Sequence, residues 1–342
     1  MLLDTRLGGR LRWWIAPPKD WGMRIPDEIL KCVVFLGREK RERGHTVFKC
    51  GGTAFIIGMP MTRVKNCVFH YLVTAQHVAE QLTGKTWGTR VNTRDGGFKV
   101  ATAPTDATWW LHRTESEVVD AAVIPWTIEE DEDSLYIPTE MFLTDEKITE
   151  NHIGPGDEVF MVGLFTRLEG RSRNIPIVRT GNVAMMPGNE LLPGATVGGK
   201  AAEIEAYLIE ARSIGGVSGS PVFVRETVGN EVRVRSRSGR MKPTQVQHPG
   251  DHHLLGLMHG HWEILPEDRN EVEFEPVKRA DKPESVNLGI AIVVPAKKIL
   301  EVLNQPALAA LRERMEDEIL KQQPTTEPDH AFGDRKKRWR KK

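Results

Sequence analysis

Short apolar runs separated by clusters of Gly, Pro, Asn and Asp dominate the sequence from about residue 27 to residue 295. Runs this short, bounded by turn-forming residues, are typical of β-strands. The first series predicts strands at residues 32–36, 53–57, 68–74, 98–101, 108–111 and 121–124. After a polar connector, the second series predicts strands at residues 158–164, 177–185, 206–210, 221–224, 254–258 and 288–294.

Two series of about six strands, with no helical pattern between them, favour an all-β sandwich or barrel over a parallel sheet. Helical periodicity appears only afterwards, in residues 296–303 and again from residue 307 to residue 322. Two stretches rich in charged residues, residues 226–253 and 263–287, interrupt the second series. We expect both of them to form exposed loops.

Composition and charge exclude several classes of protein. Of the 342 residues, 39% are hydrophobic, and 47 basic residues balance 47 acidic ones, so no net field attracts nucleic acid or anionic lipid. Cys32, Cys50 and Cys67 are too few for a disulfide framework or a zinc site, and we interpret them as small buried hydrophobes. With no apolar run of membrane-spanning length and no secretory signal, the sequence predicts a cytoplasmic protein without membrane contact.

A serine in a glycine-rich segment carries the strongest chemical signal. Residues 213–223 read Ser-Ile-Gly-Gly-Val-Ser-Gly-Ser-Pro-Val-Phe, with Ser218 at the centre. A serine hydroxyl is a poor nucleophile, so a site must expose it on a tight turn and surround the developing oxyanion with N–H donors. The backbone amides of Gly216 and Ser218 are the candidate donors. Alone, the segment could equally be a Gly-Ser loop before a strand.

Two further residues supply the partners that such a serine needs. His77 follows the apolar run that ends in Val-Thr-Ala-Gln, where an imidazole can face a cleft and accept the serine proton. Asp120 directly precedes the apolar run Ala-Ala-Val-Ile, so its carboxylate is expected at the start of a buried strand. A buried carboxylate needs a partner, and a hydrogen bond to the histidine N–H would satisfy it and fix the tautomer.

At these three motifs the sequence resembles the chymotrypsin-like serine protease superfamily. Thr-Ala-Gln-His at residues 74–77 matches the family's Thr-Ala-x-His, and Asp-Ala-Ala-Val at residues 120–123 matches its Asp before small and apolar residues. Gly-Val-Ser-Gly-Ser-Pro at residues 216–221 matches its Gly-x-Ser-Gly-x-Pro. The order His, Asp, Ser distinguishes this family from subtilisins and α/β-hydrolases. The strand and helix at residues 288–303 resemble the bacterial branch, which includes the high-temperature-requirement proteases.

The resemblance implies an all-β fold of two six-stranded antiparallel β-barrels with C-terminal helices. Its predicted parts are an N-terminal arm (residues 1–26), a first barrel with His77 and Asp120 (residues 27–135), a second barrel with Ser218 (residues 136–304), and a C-terminal helix with a basic disordered tail (residues 305–342). The implied activity is that of a serine endopeptidase without a cofactor, acting on a protein or peptide substrate. The alternative is a latent or inactive protease fold that serves as a binding scaffold. An activating or regulatory protein partner is compatible with both functions.

Specificity and accessory binding leave several possibilities open. In the family, the positions of Arg212 and His259 line the pocket for the side chain before the cleaved bond, and two such residues would favour an acidic side chain. The nearby histidines at residues 252, 253, 259 and 261 lack the spacing of a zinc motif, so no metal is predicted. The basic tail from Arg335 to Lys342, with Trp339 among seven cations, is either solvated or an accessory contact for nucleic acid or an acidic partner.

Overall fold

The structure is a computed structural model that describes residues 25–42, 44–165, 168–188, 191–197, 200–211, 217–225, 231–235, 241–245, 252–264 and 286–322. Most of the N-terminal arm and all of the basic tail, from Arg335 to Lys342, lie outside the described residues. The same is true of two predicted site residues, Arg212 and Gly216.

The first half of the chain is built on a long hairpin of strands β1 (Val33–Glu42) and β2 (His45–Pro60). The sheet has eight strands in the order β5-β4-β1-β2-β3-β7-β6, and β8 pairs with β2 in parallel. The remaining strands are β3 (Val68–Thr74), β4 (Trp87–Asn92), β5 (Phe98–Thr102), β6 (Trp110–Leu111), β7 (Ala122–Trp126) and β8 (Ile137–Pro138).

The prediction of a closed, six-stranded antiparallel first barrel therefore needs correction. In the described part of this half, the edge strands β5 and β6 do not pair, so the sheet stays open. Strand β6 has only two residues, Trp110 and Leu111, which leaves little backbone to close the sheet. Strand β4 was missing from the predicted series, and β8 adds the one parallel pairing recorded for this sheet.

The second half contains a closed barrel of six strands in the order β10-β13-β18-β17-β14-β9. These strands coincide with the six predicted for the second series, which confirms that part of the prediction. Strands β15 and β16 form a small hairpin, and β17 extends to Ile264, within residues that were wrongly expected to be loops. The bounds are β9 (Glu158–Gly163), β10 (Ile177–Met185), β11 (Leu192–Val197), β12 (Lys200–Ile204), β13 (Tyr207–Glu210), β14 (Pro221–Arg225), β15 (Glu231–Arg235), β16 (Met241–Gln245), β17 (His252–Ile264) and β18 (Val286–Pro295).

Hydrophobic packing joins the two halves into one body. One buried cluster runs through the first sheet and includes Phe160, Phe223 and Leu257 from the barrel, while a second cluster fills the barrel itself. The helices are α1 (Asp27–Leu30), α2 (Gln76–Leu82), α3 (Asp145–Glu150), α4 (Ala296–Leu303) and α5 (Pro306–Gln322). The predicted helices correspond to α4 and α5, and α4 packs its apolar side into the shared cluster.

Helix α5 is attached to the first half through one buried carboxylate. Glu316 accepts the Thr62 backbone N–H at 2.7 Å and the Arg63 Nε–H at 2.9 Å. Burial works against the charged form, but the bonds from Arg63 and Thr62 outweigh it and lower the pKa of Glu316. The C-terminal helix is thus fixed beside β3 by charge-assisted hydrogen bonds as well as by apolar contact.

The three cysteines differ in exposure, and all of them are free thiols. Cys32 is buried, which confirms its interpretation, whereas Cys50 is partly exposed and Cys67 lies on the surface, where the interpretation was wrong. Along the described part of the chain, no helix combines the length and apolar character needed to cross a membrane. The cytoplasmic location stays a prediction.

Candidate active site

A fully buried carboxylate, Asp120, lies at the centre of the site. It follows a tight turn in which the Val119 N–H donates to the Glu115 carbonyl at 2.8 Å, and it lies two residues before the start of β7 at Ala122. Ala121 and Ala122, both fully buried, follow it in the sequence. Asp120 therefore lies where its oxygens must find hydrogen-bond donors inside the protein.

Two histidines supply those donors. His77 Nδ1 lies 2.8 Å from Asp120 Oδ2, and His259 Nδ1 lies 2.5 Å from the same oxygen. Burial raises the pKa of the Asp120 carboxyl, but the bonds from His259 and His77 outweigh burial and hold that pKa well below its usual range. Asp120 is consequently an anion at neutral pH.

The start of helix α2 positions His77. Strand β3 ends at Thr74, Ala75 has extended backbone angles, and the helix begins at Gln76. The first amides of a helix have no partner within it. Asp120 Oδ1 accepts the His77 backbone N–H at 2.9 Å, so one carboxylate holds both the backbone and the ring of this residue.

The environment of His77 makes its ring a base. Burial lowers the pKa of the imidazole, but the hydrogen bond and the charge of Asp120 outweigh burial and raise it above its ordinary value. Because the ionised carboxylate accepts a hydrogen bond from Nδ1–H, the neutral ring carries its free lone pair on Nε2. With 28% of the side chain exposed, this nitrogen can meet a reacting group.

Ser218 is the second residue of a tight turn that enters β14. The Ser220 N–H donates to the Val217 carbonyl at 2.9 Å across this turn. Gly219 has a φ of +82°, which glycine adopts readily and which is typical of the third position of a type II turn. The turn leaves Ser218 partly exposed while the residues on either side of it, Val217 and Gly219, stay buried.

Strand β2 holds this turn against the first half. The Thr53 N–H donates to the Ser218 carbonyl at 3.2 Å, and the Thr74 hydroxyl donates to the Thr53 carbonyl at 2.7 Å. From the barrel, the Gly219 N–H donates to the Met258 carbonyl at 2.8 Å. The candidate nucleophile is therefore held from both halves of the molecule.

The Ser218 hydroxyl donates to the backbone carbonyl of His259 at 3.2 Å. In the described residues, no hydrogen bond joins Ser218 to His77. His77 and His259 both bind Asp120, and Ser218 binds the backbone of His259, so the three predicted residues are linked through His259 and not through a hydrogen bond between Ser218 and His77.

The contact between His259 and Asp120 is the feature that sequence reasoning missed. His259 was assigned to the substrate pocket, and that role stays a prediction. Its ring is only 9% exposed, and its Nδ1 is directed to Asp120. One signal was present: His259 interrupts an apolar run, and a buried histidine in a strand needs a polar partner.

Two groups of side chains have the donor atoms for a metal ion. In the first, the donor atoms of His77, Asp120 and His259 lie within 4.8 Å of one another. Their contacts of 2.8 and 2.5 Å are hydrogen-bond distances, shorter than the roughly 3.3 Å between the ligands of a zinc tetrahedron. The second group is His112, Glu115 and Glu301.

The second group already has a cation, because the Lys298 ammonium lies 2.8 Å from Glu115 and 3.2 Å from Glu301. Lys298 and the His112 ring together satisfy the two carboxylates, as in a structural ion-pair network. Neither group therefore has the geometry of a metal centre.

Comparison with known proteins finds similarity only to solved structures. No protein-family model and no curated protein matches the sequence. The structure is similar to a variant of the HtrA-type protease AlgW with a tripeptide, at a TM-score of 0.40 and 16% identity, covering 81% of this chain and 60% of that one. It is also similar to Deg5, at a TM-score of 0.37 and 15% identity, covering 68% of this chain and 81% of that one.

The chain thus spans 60% of the length of the first of these structures. At these identities and scores the chemistry of the site has to be derived from its own geometry. The coarse architecture is a mostly β protein with one closed six-stranded barrel and C-terminal helices.

Proposed function

We propose that this protein is a serine endopeptidase that hydrolyses peptide bonds through an acyl-enzyme. One observation carries the proposal: a buried carboxylate holds the ring of His77, while Ser218, the partly exposed residue of a tight turn, is hydrogen bonded to the same carboxylate's second partner, His259. A nucleophile, a base and the group that orients the base are the components this reaction needs.

In the proposed reaction, the Ser218 hydroxyl rotates from the His259 carbonyl to His77 Nε2 and attacks the substrate carbonyl. His77 accepts the serine proton and then delivers it to the leaving amine, and Asp120 stabilises the imidazolium formed in between. The amides of Gly216 and Ser218 would bind the oxyanion. Water then releases the acyl group by the same steps in reverse order.

The alternative is a protein that rests in a latent form or serves as a binding scaffold. It is favoured by the Ser218 hydroxyl, which donates to the His259 carbonyl instead of to His77. An activating partner or a bound substrate would then be needed to turn the hydroxyl. A permanent scaffold has no physical need for an ionised carboxylate that orients a basic imidazole.

Covalent labelling by a fluorophosphonate probe, followed by mass spectrometry of the labelled peptide, tests the proposal. We expect wild-type protein to be labelled on Ser218 and the Ser218→Ala variant to stay unlabelled. Ser220→Ala is the matched control, because it removes a buried hydroxyl from the same turn without touching the base. Folded wild-type protein that is never labelled would support the latent or scaffold form.

The proposed substrate is a protein or peptide, with an acidic side chain before the cleaved bond. The support for acidic specificity is the sequence position of Arg212, which matches a pocket position of the family, whereas His259, the second such position, directs its Nδ1 to Asp120. Cleavage of a peptide library by protein that reacts with the fluorophosphonate probe would measure this specificity. A preference for basic or large aromatic side chains would refute the acidic pocket and leave the serine mechanism intact.

A further inference from the structure

Asp120 is shared by two imidazoles that approach it from different parts of the chain. His77 reaches it from the first half, and His259 reaches it from β17 of the barrel. The ring centroids lie 5.6 Å apart, with the planes inclined at 80°. The usual requirement for orienting a base would be met by His77 and Asp120 alone, so the second ring needs an explanation.

We propose that His259 is a positioning residue: its ring holds the Asp120 carboxylate from the barrel side while its carbonyl holds the Ser218 hydroxyl. The inference rests on the proposed function. One residue thereby touches both the group that orients the base and the nucleophile. The alignment of His77 with Ser218 then depends on where β17 places His259.

The hydrogen bonds to Asp120 determine which nitrogen of each histidine ring carries the proton. An ionised Asp120 needs a proton on Nδ1 of each ring, so in the neutral state His77 and His259 both carry the Nδ1–H tautomer. A second positive charge would lie within about 6 Å of the first and would be strongly disfavoured in this partly buried place.

The charged groups that bear on this pair are few among the described residues. Asp120 contacts both rings, and Glu80 adds its charge to the environment of His77. A His259 ring that donates a hydrogen bond to Asp120 stabilises part of the carboxylate's negative charge. It thereby reduces the extent to which Asp120 raises the pKa of His77. Without that donor, Asp120 acts on His77 alone and makes the ring more basic.

Proton NMR tests the shared carboxylate without any need for activity. The Ser218→Ala protein is labelled with ¹⁵N-histidine, and low-field Nδ1 protons are assigned to their rings. We expect two such resonances, one from each ring, and the loss of the second alone on His259→Phe. A single low-field resonance that His259→Phe leaves unchanged would overturn the inference, whatever the protein's activity.

Labelling kinetics test the positioning role. Asn places an amide N–H near the position of His Nδ1, whereas Phe keeps the ring shape without the donor. We expect fluorophosphonate labelling within about tenfold of wild type for His259→Asn, and roughly 10- to 100-fold slower labelling for His259→Phe. The acid limb of the labelling profile should move to higher pH for His259→Phe and stay near that of wild type for His259→Asn.

A purely structural ring would give a different result. In that case His259→Phe would fold and label as well as or better than His259→Asn, and the acid limb would not move. Labelling of His259→Phe at least as fast as that of His259→Asn would overturn the proposal, and so would an acid limb that does not move. If wild-type protein is never labelled, the serine endopeptidase proposal fails, and the NMR assignment still decides whether His259 shares Asp120.

Discussion

Gly219 provides a sharp test of the turn that presents Ser218. Its φ of +82° lies in the left-handed region, which costs a residue with a side chain about 1–2 kcal/mol. An added Cβ would also collide with the Thr53 carbonyl and the Thr74 hydroxyl, and would lie 3.1 Å from the Ala75 backbone nitrogen. The carbonyl is backbone, and the hydroxyl is fixed by its own hydrogen bond, so neither can move away freely.

Overpacking of this kind adds about 1–3 kcal/mol. We therefore expect Gly219→Ala to lower the free energy of unfolding by about 2–5 kcal/mol, mainly through a lower urea midpoint at an unchanged m-value. Gly84→Ala is the matched control, because Gly84 has a φ of +70° with no atom within 4 Å of the added Cβ. It should lose only the backbone cost of about 1–2 kcal/mol.

The same pair of variants separates stability from activity. Labelling of Ser218 should slow sharply in folded Gly219→Ala, because the turn must shift away from β2, whereas Gly84→Ala should label at the wild-type rate. Equal losses of stability in the two variants would refute the close packing of the turn. Unchanged labelling of Gly219→Ala would refute the claim that this packing positions the serine.

Three further predictions concern charge and burial. Replacing Asp120 by Asn removes the charge that raises the pKa of His77, so fluorophosphonate labelling near neutral pH should fall by roughly 10⁴-fold, and a rate within tenfold of wild type would contradict the role of the carboxylate. Burial lowers the pKa of His70 to about 4, so the unfolded chain binds this proton first and stability falls as the pH drops from about 6.5 towards 4. Urea titrations should show that His70→Phe loses less free energy of unfolding than wild type between about pH 7 and pH 5, and equal losses would refute this assignment. Glu316→Ala leaves the Thr62 and Arg63 donors without their acceptor, so we expect the free energy of unfolding to fall by about 2–4 kcal/mol and amide exchange in α5 to become faster. Glu318→Ala, at an exposed position of the same helix, should change stability by less than about 0.5 kcal/mol, and similar effects of the two variants would disprove the anchoring of α5.

Local pattern was sufficient wherever a strand is a continuous apolar run between turn residues. Strand β3 begins and ends at the predicted residues for this reason. Strand β4 was missed because Trp87–Asn92 contains Gly, Arg and Asn. Its Arg90 is buried because it donates to the carbonyls of Glu169 at 3.0 Å and Gly170 at 2.7 Å, which are remote in sequence. Such a partner cannot be predicted from the run itself.

The candidate site shows the same difference between residues that local sequence identifies and contacts that depend on the fold. His77 and Ser218 lie in short segments whose chemistry is local, a helix start and a glycine turn, so their motifs identify them as candidates without knowledge of the fold. The bond between His259 and Asp120 joins residues 139 positions apart and depends on how β17 passes the first half of the chain. Closure of the first sheet likewise depends on the length of its edge strands.

Thr53 links parts of the chain that are synthesised far apart. Its amide binds the Ser218 carbonyl, and its hydroxyl accepts the Leu164 N–H at 2.9 Å from the end of β9. Thr53, His77 and Asp120 are all synthesised before the turn around Ser218. The candidate site can therefore be completed only after the barrel has formed and its turn has bound Thr53.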